Sequence, residues 1–258
     1  MNHLEFYATI QPKTHMLILG SSGSGKSVVL NGIMASLCYT DCYFVCIDLK
    51  RVELSPYRKS RKCIRYADNI ESAVSTLEWI LQETDRRYRK MQRQGIRFSN
   101  EKPIYLCIDE VAELLTVDKK RCMPLLQRIG QVSRAANIKM ICCSQCLLAS
   151  VISTPLRINF DTVIGLRTET SRQSTMIIGQ SGLETLPKFG SLVFKSPGYI
   201  MQYNNVPMLT DYEINGCIRE AKILNNEFSD SPSEAPKPKK KKSLLSILFP
   251  KMFLDGIA

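Results

Sequence analysis

No apolar run in this 258-residue chain approaches the ~18 residues that a membrane-spanning helix requires. The opening residues, Met1-Asn2-His3-Leu4-Glu5-Phe6, lack the basic and then apolar profile of a secretory leader, so the expected location is the cytoplasm. Histidine is scarce, with His3 and His15 alone. Cys143-Ser144-Gln145-Cys146 has C-x-x-C spacing, but with no second such pair and no histidine pair, zinc and redox readings fall away. Disulfides are not expected either, because the chain is neither small nor marked for secretion. Of its ten cysteines, Cys42, Cys46, Cys107, Cys142 and Cys143 sit in apolar, strand-like segments and read as small core residues. No internal repeat is present.

What the chain does have is enough apolar material, 44%, for one large α/β domain. Its formal net charge is +11. The last thirty residues hold six lysines against three acids, or +3, which leaves +8 on the body. A basic body suits a polyanionic partner, although charge alone does not decide it.

Residues 20–27 read Gly-Ser-Ser-Gly-Ser-Gly-Lys-Ser, the full G-x-x-x-x-G-K-S phosphate-loop pattern. It stands between the apolar strand Met16-Leu17-Ile18-Leu19 and the apolar helix start Val28-Val29-Leu30. Glycines let backbone N–H groups curl around an anion at a helix N-terminus, where dipole and unpaired donors converge. The expected ligand is a nucleoside triphosphate with Mg2+, held by Gly20, Ser21, Ser22, Gly23, Ser24, Gly25, Lys26, Ser27 and Val28. Lys26 is placed to reach the β- and γ-phosphates, and the Ser27 hydroxyl to ligate the metal.

Residues 1–14 read as an extended lead-in, followed by a strand at 15–19 and a helix through about Leu37. Cys42–Asp48 is a continuous apolar run ending in an acid, as a buried parallel strand should be, and a loop containing Pro56 follows. From Asn69 to Gln94, Val74, Leu77, Leu81, Tyr88 and Met91 recur at helical spacing. The second half of that helix carries Arg86, Arg87, Arg89, Lys90 and Arg93, which reads as a solvated charged face. Further strands are expected at Pro103–Ile108, Lys139–Ser144, Asp161–Leu166 and Ser191–Phe194, with Tyr199–Tyr203 pairing as a hairpin, and a helix near Pro124–Ala136. Strands alternating with helices imply an α/β fold with a mostly parallel sheet covered on both faces.

A phosphate loop needs a second strand that delivers an acid to the metal, and Ile104–Glu110 supplies it. Asp109 is the expected metal-holding acid, and Glu110 the group that polarises the attacking water. An acid followed directly by glutamate typifies ATP-hydrolysing motors. The strand Lys139–Ser144 has the composition to lie between the two motifs, which puts Gln145 at its tip as a sensor of the γ-phosphate. After Phe228 the composition turns polar and proline-rich, and Lys239–Lys242 then precedes Leu244-Leu245-Ser246-Ile247-Leu248-Phe249. That tail fits an anionic membrane surface, or equally a disordered tail or a peptide that docks on a partner.

Several blocks together resemble the FtsK/SpoIIIE family of DNA translocase ATPases, within the HerA/FtsK group of RecA-like P-loop motors. Ile47-Asp48-Leu49-Lys50-Arg51-Val52-Glu53-Leu54 resembles the family's I-D-P-K-x-x-E-L, and Glu83 to Tyr88 resembles E-M-E-R-R-Y. Ile108 to Leu114 resembles I-D-E-F-A-D-L, Ser133 to Ile138 resembles A-R-A-A-G-I, and Cys143-Ser144-Gln145 stands where A-T-Q is usual. Thr154 to Ile158 and Ser171 to Gly182 match further blocks, so that the resemblance spans roughly 12–210. Leu49 replaces a proline, Asn137 a glycine and Cys146 an arginine.

Composition and the resemblance together give an expected motor domain over 15–228, a lead-in at 1–14 and a disordered basic and apolar tail at 229–258. It further implies a hexameric ring with ATP at subunit junctions and double-stranded DNA, bound without sequence preference, in the channel. An arginine acting on the neighbouring subunit's phosphate is implied too, with Arg134 and Arg157 as candidates. Neither membrane helices nor a winged-helix module accompanies the motor blocks, which resembles the minimal motors of conjugative and integrative elements. The expected function is ATP-driven DNA translocation in conjugative transfer or DNA partitioning, at a membrane-bound transfer machine if the tail docks there. The alternative is a type VII secretion-like protein-export ATPase, and after it a nucleotide-switched adaptor.

Overall fold

Continuous apolar runs such as Tyr43–Ile47 and Ile104–Ile108 suit strands buried on both faces, and the computed structural model is built that way. It describes residues 3–145 and 154–221; Cys146 and the expected tail lie outside the described residues. Eight strands form one sheet: β1 (Met16–Leu19), β2 (Tyr43–Ile47), β3 (Cys63–Ala67), β4 (Ile104–Ile108), β5 (Ile138–Ser144), β6 (Thr162–Gly165), β7 (Ser191–Ser196) and β8 (Tyr199–Asn204). Their spatial order is β3-β2-β4-β5-β1-β6-β7-β8. The strands from β3 to β6 pair in parallel, and the β7–β8 hairpin adds the antiparallel edge.

Alternation along each strand sorts the side chains into two cores. Met16, Ile18, Phe44, Cys46, Tyr105, Cys107, Ile141 and Cys143 face one layer, which also contains α1 (His3–Thr9), α2 (Lys26–Leu37) and α7 (Asp211–Glu220). Leu17, Leu19, Val45, Ile47, Leu106, Ile108, Met140 and Cys142 face the other, beneath α3 (Ile70–Gln94) and α4 (Val111–Val132). The short helices α5 (Thr154–Arg157) and α6 (Ser171–Ile178) flank β6. All nine described cysteines are buried and free, as expected of small core residues. Among the described residues no helix is long and apolar enough to cross a membrane.

Four local expectations need correction. Residues 3–9 are helical rather than extended, because Phe6 and Tyr7 are drawn into the core. Tyr7 lies flat against Gly32 of α2, where a β-carbon would come within 2.1 Å of the ring, and its hydroxyl donates to the Pro207 carbonyl at 2.5 Å. Strand β3 was not anticipated; its central Arg65 stacks over Trp79 at 4.7 Å and breaks the apolar pattern of an edge strand. The helix expected near Pro124 starts as early as Val111, with a break at Asp118 (φ −149°, ψ 76°), whose carboxylate accepts the Arg121 N–H at 3.0 Å.

The basic half of α3 is not simply a solvated face. Arg87 is fully buried, paired with Glu83 at 2.8 Å, and donates to the Ala136 carbonyl at 2.9 Å. Glu101, itself buried, takes Arg86 and Lys90. The Glu83–Tyr88 block therefore bolts α3 to the turn before β5.

Two sequence departures have local reasons. Asn137 adopts φ 58°, the left-handed conformation that asparagine tolerates better than most side chains, and its amide donates to the Glu101 carbonyl at 2.8 Å. Leu49 is the second residue of a turn closed by the Arg51 N–H on the Asp48 carbonyl at 3.2 Å. Proline is favoured at that position for its preset φ but supplies no hydrogen bond, so leucine can replace it.

Candidate functional site

The phosphate loop leaves β1 at its carboxyl end and enters α2 at Lys26. The Ser21 N–H donates to the Arg167 carbonyl at 2.9 Å and the Ser24 N–H to the Ser21 carbonyl at 3.2 Å, which curls the loop tightly over the strand ends. Gly25, the N-cap of α2, sits at φ 99° and offers no side-chain cap. The first N–H groups of α2 are left for an anion, with the helix dipole behind them. The Lys26 ammonium donates to the Gly20 and Ser21 carbonyls at 2.9 and 2.8 Å, so it lies folded into the loop it would serve. Burial lowers its pKa, against the opposing pull of Glu110, Cys143 and Asp109. A cavity of about 460 Å³ opens beside the loop, lined by Ser22 and Gly23 on one side and by Arg167 and Lys188 on the other.

The sheet order brings the acids to this loop. β5 lies between β1 and β4, so the residues following β1, β4 and β5 share one edge of the sheet. Asp109 follows β4, and its N–H donates to the Ile47 carbonyl of the adjoining β2 at 3.2 Å. Its carboxyl is pushed up to about 7, first by burial and then by the negative charge of Asp48 and Glu53. Glu110 is the N-cap of α4 and accepts the Ala112 N–H at 3.3 Å. It also accepts the Gln145 N–H, at 3.2 Å. Lys26, Asp109, Glu110 and Gln145, far apart in the chain, are thus gathered at one end of three neighbouring strands.

Mg2+ fits this donor set. Among the described residues no cluster of three or more metal-ligating side chains occurs. Mg2+ is usually held by one or two protein oxygens plus substrate phosphates, and Ser27 and Asp109 can supply those. A half-buried carboxyl pressed by neighbouring acids is a group whose ionisation a divalent cation would favour.

The arginines stand elsewhere. Arg134 lies before β5, at the sheet edge opposite the loop and about 20 Å away by the rise of that strand, and its guanidinium pairs with Asp161. Arg157 ends α5 and donates to the Met176 carbonyl at 3.2 Å. Neither is brought to the phosphate loop of its own chain by a described contact.

The sequence reading missed Asp48 as a member of the site's electrostatics. Buried at the end of β2, it accepts the N–H groups of Arg51 (2.8 Å) and Leu54 (3.0 Å), so it organises the following loop while its charge bears on Asp109. The signal was an acid ending an apolar strand, as in β4. The adjacency of β2 and β4, which makes it count, is a property of the sheet order.

Comparison with known proteins bears on the family and the fold. The model of the FtsK/SpoIIIE family matches residues 2–101. The DNA translocase FtsK of Brucella melitensis biotype 1 is 28% identical over 275 aligned positions that cover 88% of this chain and 34% of that protein. The chain thus spans about a third of the length of the curated relatives it matches. Among solved structures, the pCW3 conjugation coupling protein TcpA, in its monomer form with ATPγS, superposes with a TM-score of 0.70 at 23% identity, covering 81% of this chain and 65% of that one. The cytoplasmic domain of the Thermomonospora curvata type VII secretion ATPase EccC superposes with a TM-score of 0.66 at 20% identity, covering 88% of this chain and 29% of that one. The family resemblance read from the sequence is borne out, and the fold is that of a RecA-like P-loop ATPase.

Proposed function

We propose that this chain, of the FtsK/SpoIIIE type, is an ATP-hydrolysing motor that moves double-stranded DNA, in conjugative transfer or DNA partitioning. The observation that carries the reading is the meeting of Lys26, the Asp109–Glu110 pair and Gln145 at one edge of the sheet. In it the loop N–H groups and Lys26 hold the triphosphate, compensating charge that builds on the phosphoryl oxygens. Ser27 and Asp109 would hold Mg2+, which would supply neutralisation of phosphate charge. Glu110 orients the attacking water and accepts its proton. Gln145, hydrogen-bonded through its backbone to Glu110, passes the state of the site into β5. Arg134 and Arg157 are left to complete a neighbour's site in a hexameric ring. The DNA partner is supported by the family and by the basic body; phosphate contacts would make binding independent of sequence and steeply weakened by salt.

The test is ATP turnover with and without duplex DNA across a salt series. Stimulation that fades as salt rises, and turnover abolished in Lys26→Ala, are expected. The fold shared with EccC supports protein export as the second reading; turnover indifferent to DNA but raised by a small secreted helical protein would favour it.

A further inference from the structure

We propose that the nucleotide base lies in an apolar slot beside the phosphate loop, where the two ends of the β7–β8 hairpin meet. The slot grips a purine by its faces without reading its edge, so GTP serves nearly as well as ATP. This rests on the nucleotide reading above and specifies which bases that site accepts.

The slot follows from the topology. β7 runs antiparallel to β6, with Gly165 opposite Val193, and Gly165 also pairs with Leu19 of β1. The start of β7 and the end of β8 therefore lie at the same sheet edge as the phosphate loop. They are pinned together by the Ser191–Asn204 register and by the Val206 N–H on the Gly190 carbonyl at 2.8 Å.

Between this closed end and the loop lies a cavity of about 130 Å³, walled by Gly25 and Val28 on the loop side and by Phe189 and Met208 on the hairpin side. An apolar cavity of ~150 Å³ admits benzene, so the slot is on the scale of an aromatic ring. Phe189 and Met208 are 66% and 67% exposed. Two large apolar side chains left in water beside a phosphate-binding loop have a fitting partner in the flat base carried by the same ligand. Stacking on an aromatic face is tolerant of base identity because every base presents a π-face.

Base identity is read at the edge, and the slot has little to read with. The Ser191 hydroxyl is engaged with the Asn204 side chain at 3.2 Å. The Val206 N–H and the Gly190 carbonyl are engaged with each other. Among the described residues, no amide or carboxylate side chain lines the cavity. The Ser24 hydroxyl, buried and without a hydrogen-bond partner, lines it as well. A hydroxyl both donates and accepts, so it suits the amino group of adenine and the carbonyl of guanine alike. Discrimination by orders of magnitude needs polar groups that the wrong substrate leaves unpaired.

The test measures binding of ATP, GTP and inorganic tripolyphosphate to the full chain by calorimetry, for the wild type, Phe189→Ala and Met208→Ala. ATP and GTP are expected to bind within about tenfold of each other. Each substitution should weaken both by about tenfold while leaving tripolyphosphate binding and the thermal midpoint unchanged. GTP more than about tenfold weaker than ATP would overturn the permissive slot. Substitutions that leave ATP binding unchanged, or weaken tripolyphosphate equally, would overturn its location. A wild type that binds none of the three would instead remove the nucleotide reading, and this inference with it.

Discussion

The Glu110 carboxylate accepts the backbone N–H of Gln145 at 3.2 Å while capping the first turn of α4 through the Ala112 N–H. One side chain thus ties the end of β4, the start of α4 and the end of β5 together. The residue proposed to orient water is held by the segment proposed to sense its consumption.

That geometry separates two substitutions. Glu110→Gln retains an accepting oxygen for both N–H groups, so folding and nucleotide binding should survive while turnover falls by about a hundredfold or more, the usual contribution of a positioned base. Glu110→Ala should lose the cap as well, destabilising the chain by about 1 kcal/mol. Steady-state turnover beside a denaturant midpoint distinguishes the two.

Asp109 makes stability depend on pH. Its carboxyl rises from 3.8 to about 7 in the fold, so its ionised form is penalised there. A raised carboxyl pKa means that the contribution is fully present below the unfolded value, near 4, and is lost as pH rises through about 7. Asp109→Asn should therefore match the wild type at pH 4 and exceed its thermal midpoint at pH 8 when nucleotide and Mg2+ are withheld. Adding both should stabilise the wild type more than the variant. Melting curves across the pH range, with equal midpoints at pH 8, would refute this account.

Gly32 should not tolerate a side chain. A β-carbon there meets the Tyr7 ring at 2.1 Å, and Tyr7 anchors α1 to the Pro207 segment. Gly32→Ala should cost about 1–3 kcal/mol through overpacking, measured by urea denaturation, and should release α1 to proteolysis at its start.

The buried cluster at the end of α3 carries a larger penalty. Arg87→Ala would leave the buried Glu83 and Glu101 to the half-exposed Arg86 and Lys90 alone, and would unpair the Ala136 carbonyl. Breaking one partner of such a cluster costs about 3–5 kcal/mol. Arg89→Ala, which removes an exposed pair with Asp85, should change stability by less than about 1 kcal/mol. A comparison of denaturation midpoints checks the ranking.

Much of the molecule was legible in advance because the relevant chemistry is local. The phosphate loop, the acids ending β4 and the apolar runs of β1, β2, β4 and β5 announce themselves by residue type over a few positions. β3 did not, since Arg65 at its centre interrupts the apolar run and stacks on Trp79, a residue fourteen positions away. The helix at His3–Thr9 was equally hidden: seven residues are too few to hold a helix by propensity, and burial of Phe6 and Tyr7 against α2 and the Pro207 segment holds it instead. The basic run of α3 reads the same whether it is solvated or buried, and only the position of Glu101 and of the turn before β5 makes Arg87 an internal residue.

The sequence by itself determined the ligand class, the alternation of strands and helices, and which side chains carry the charge at the site, because these depend on residue type and short spacing. Tertiary structure alone decided that β5 stands between β1 and β4, that Asp48 bears on Asp109, and that a distant hairpin brings Phe189 and Met208 to the phosphate loop. Strand order is set by how whole layers bury one another, and no local pattern encodes a neighbour fifty or a hundred and fifty residues away.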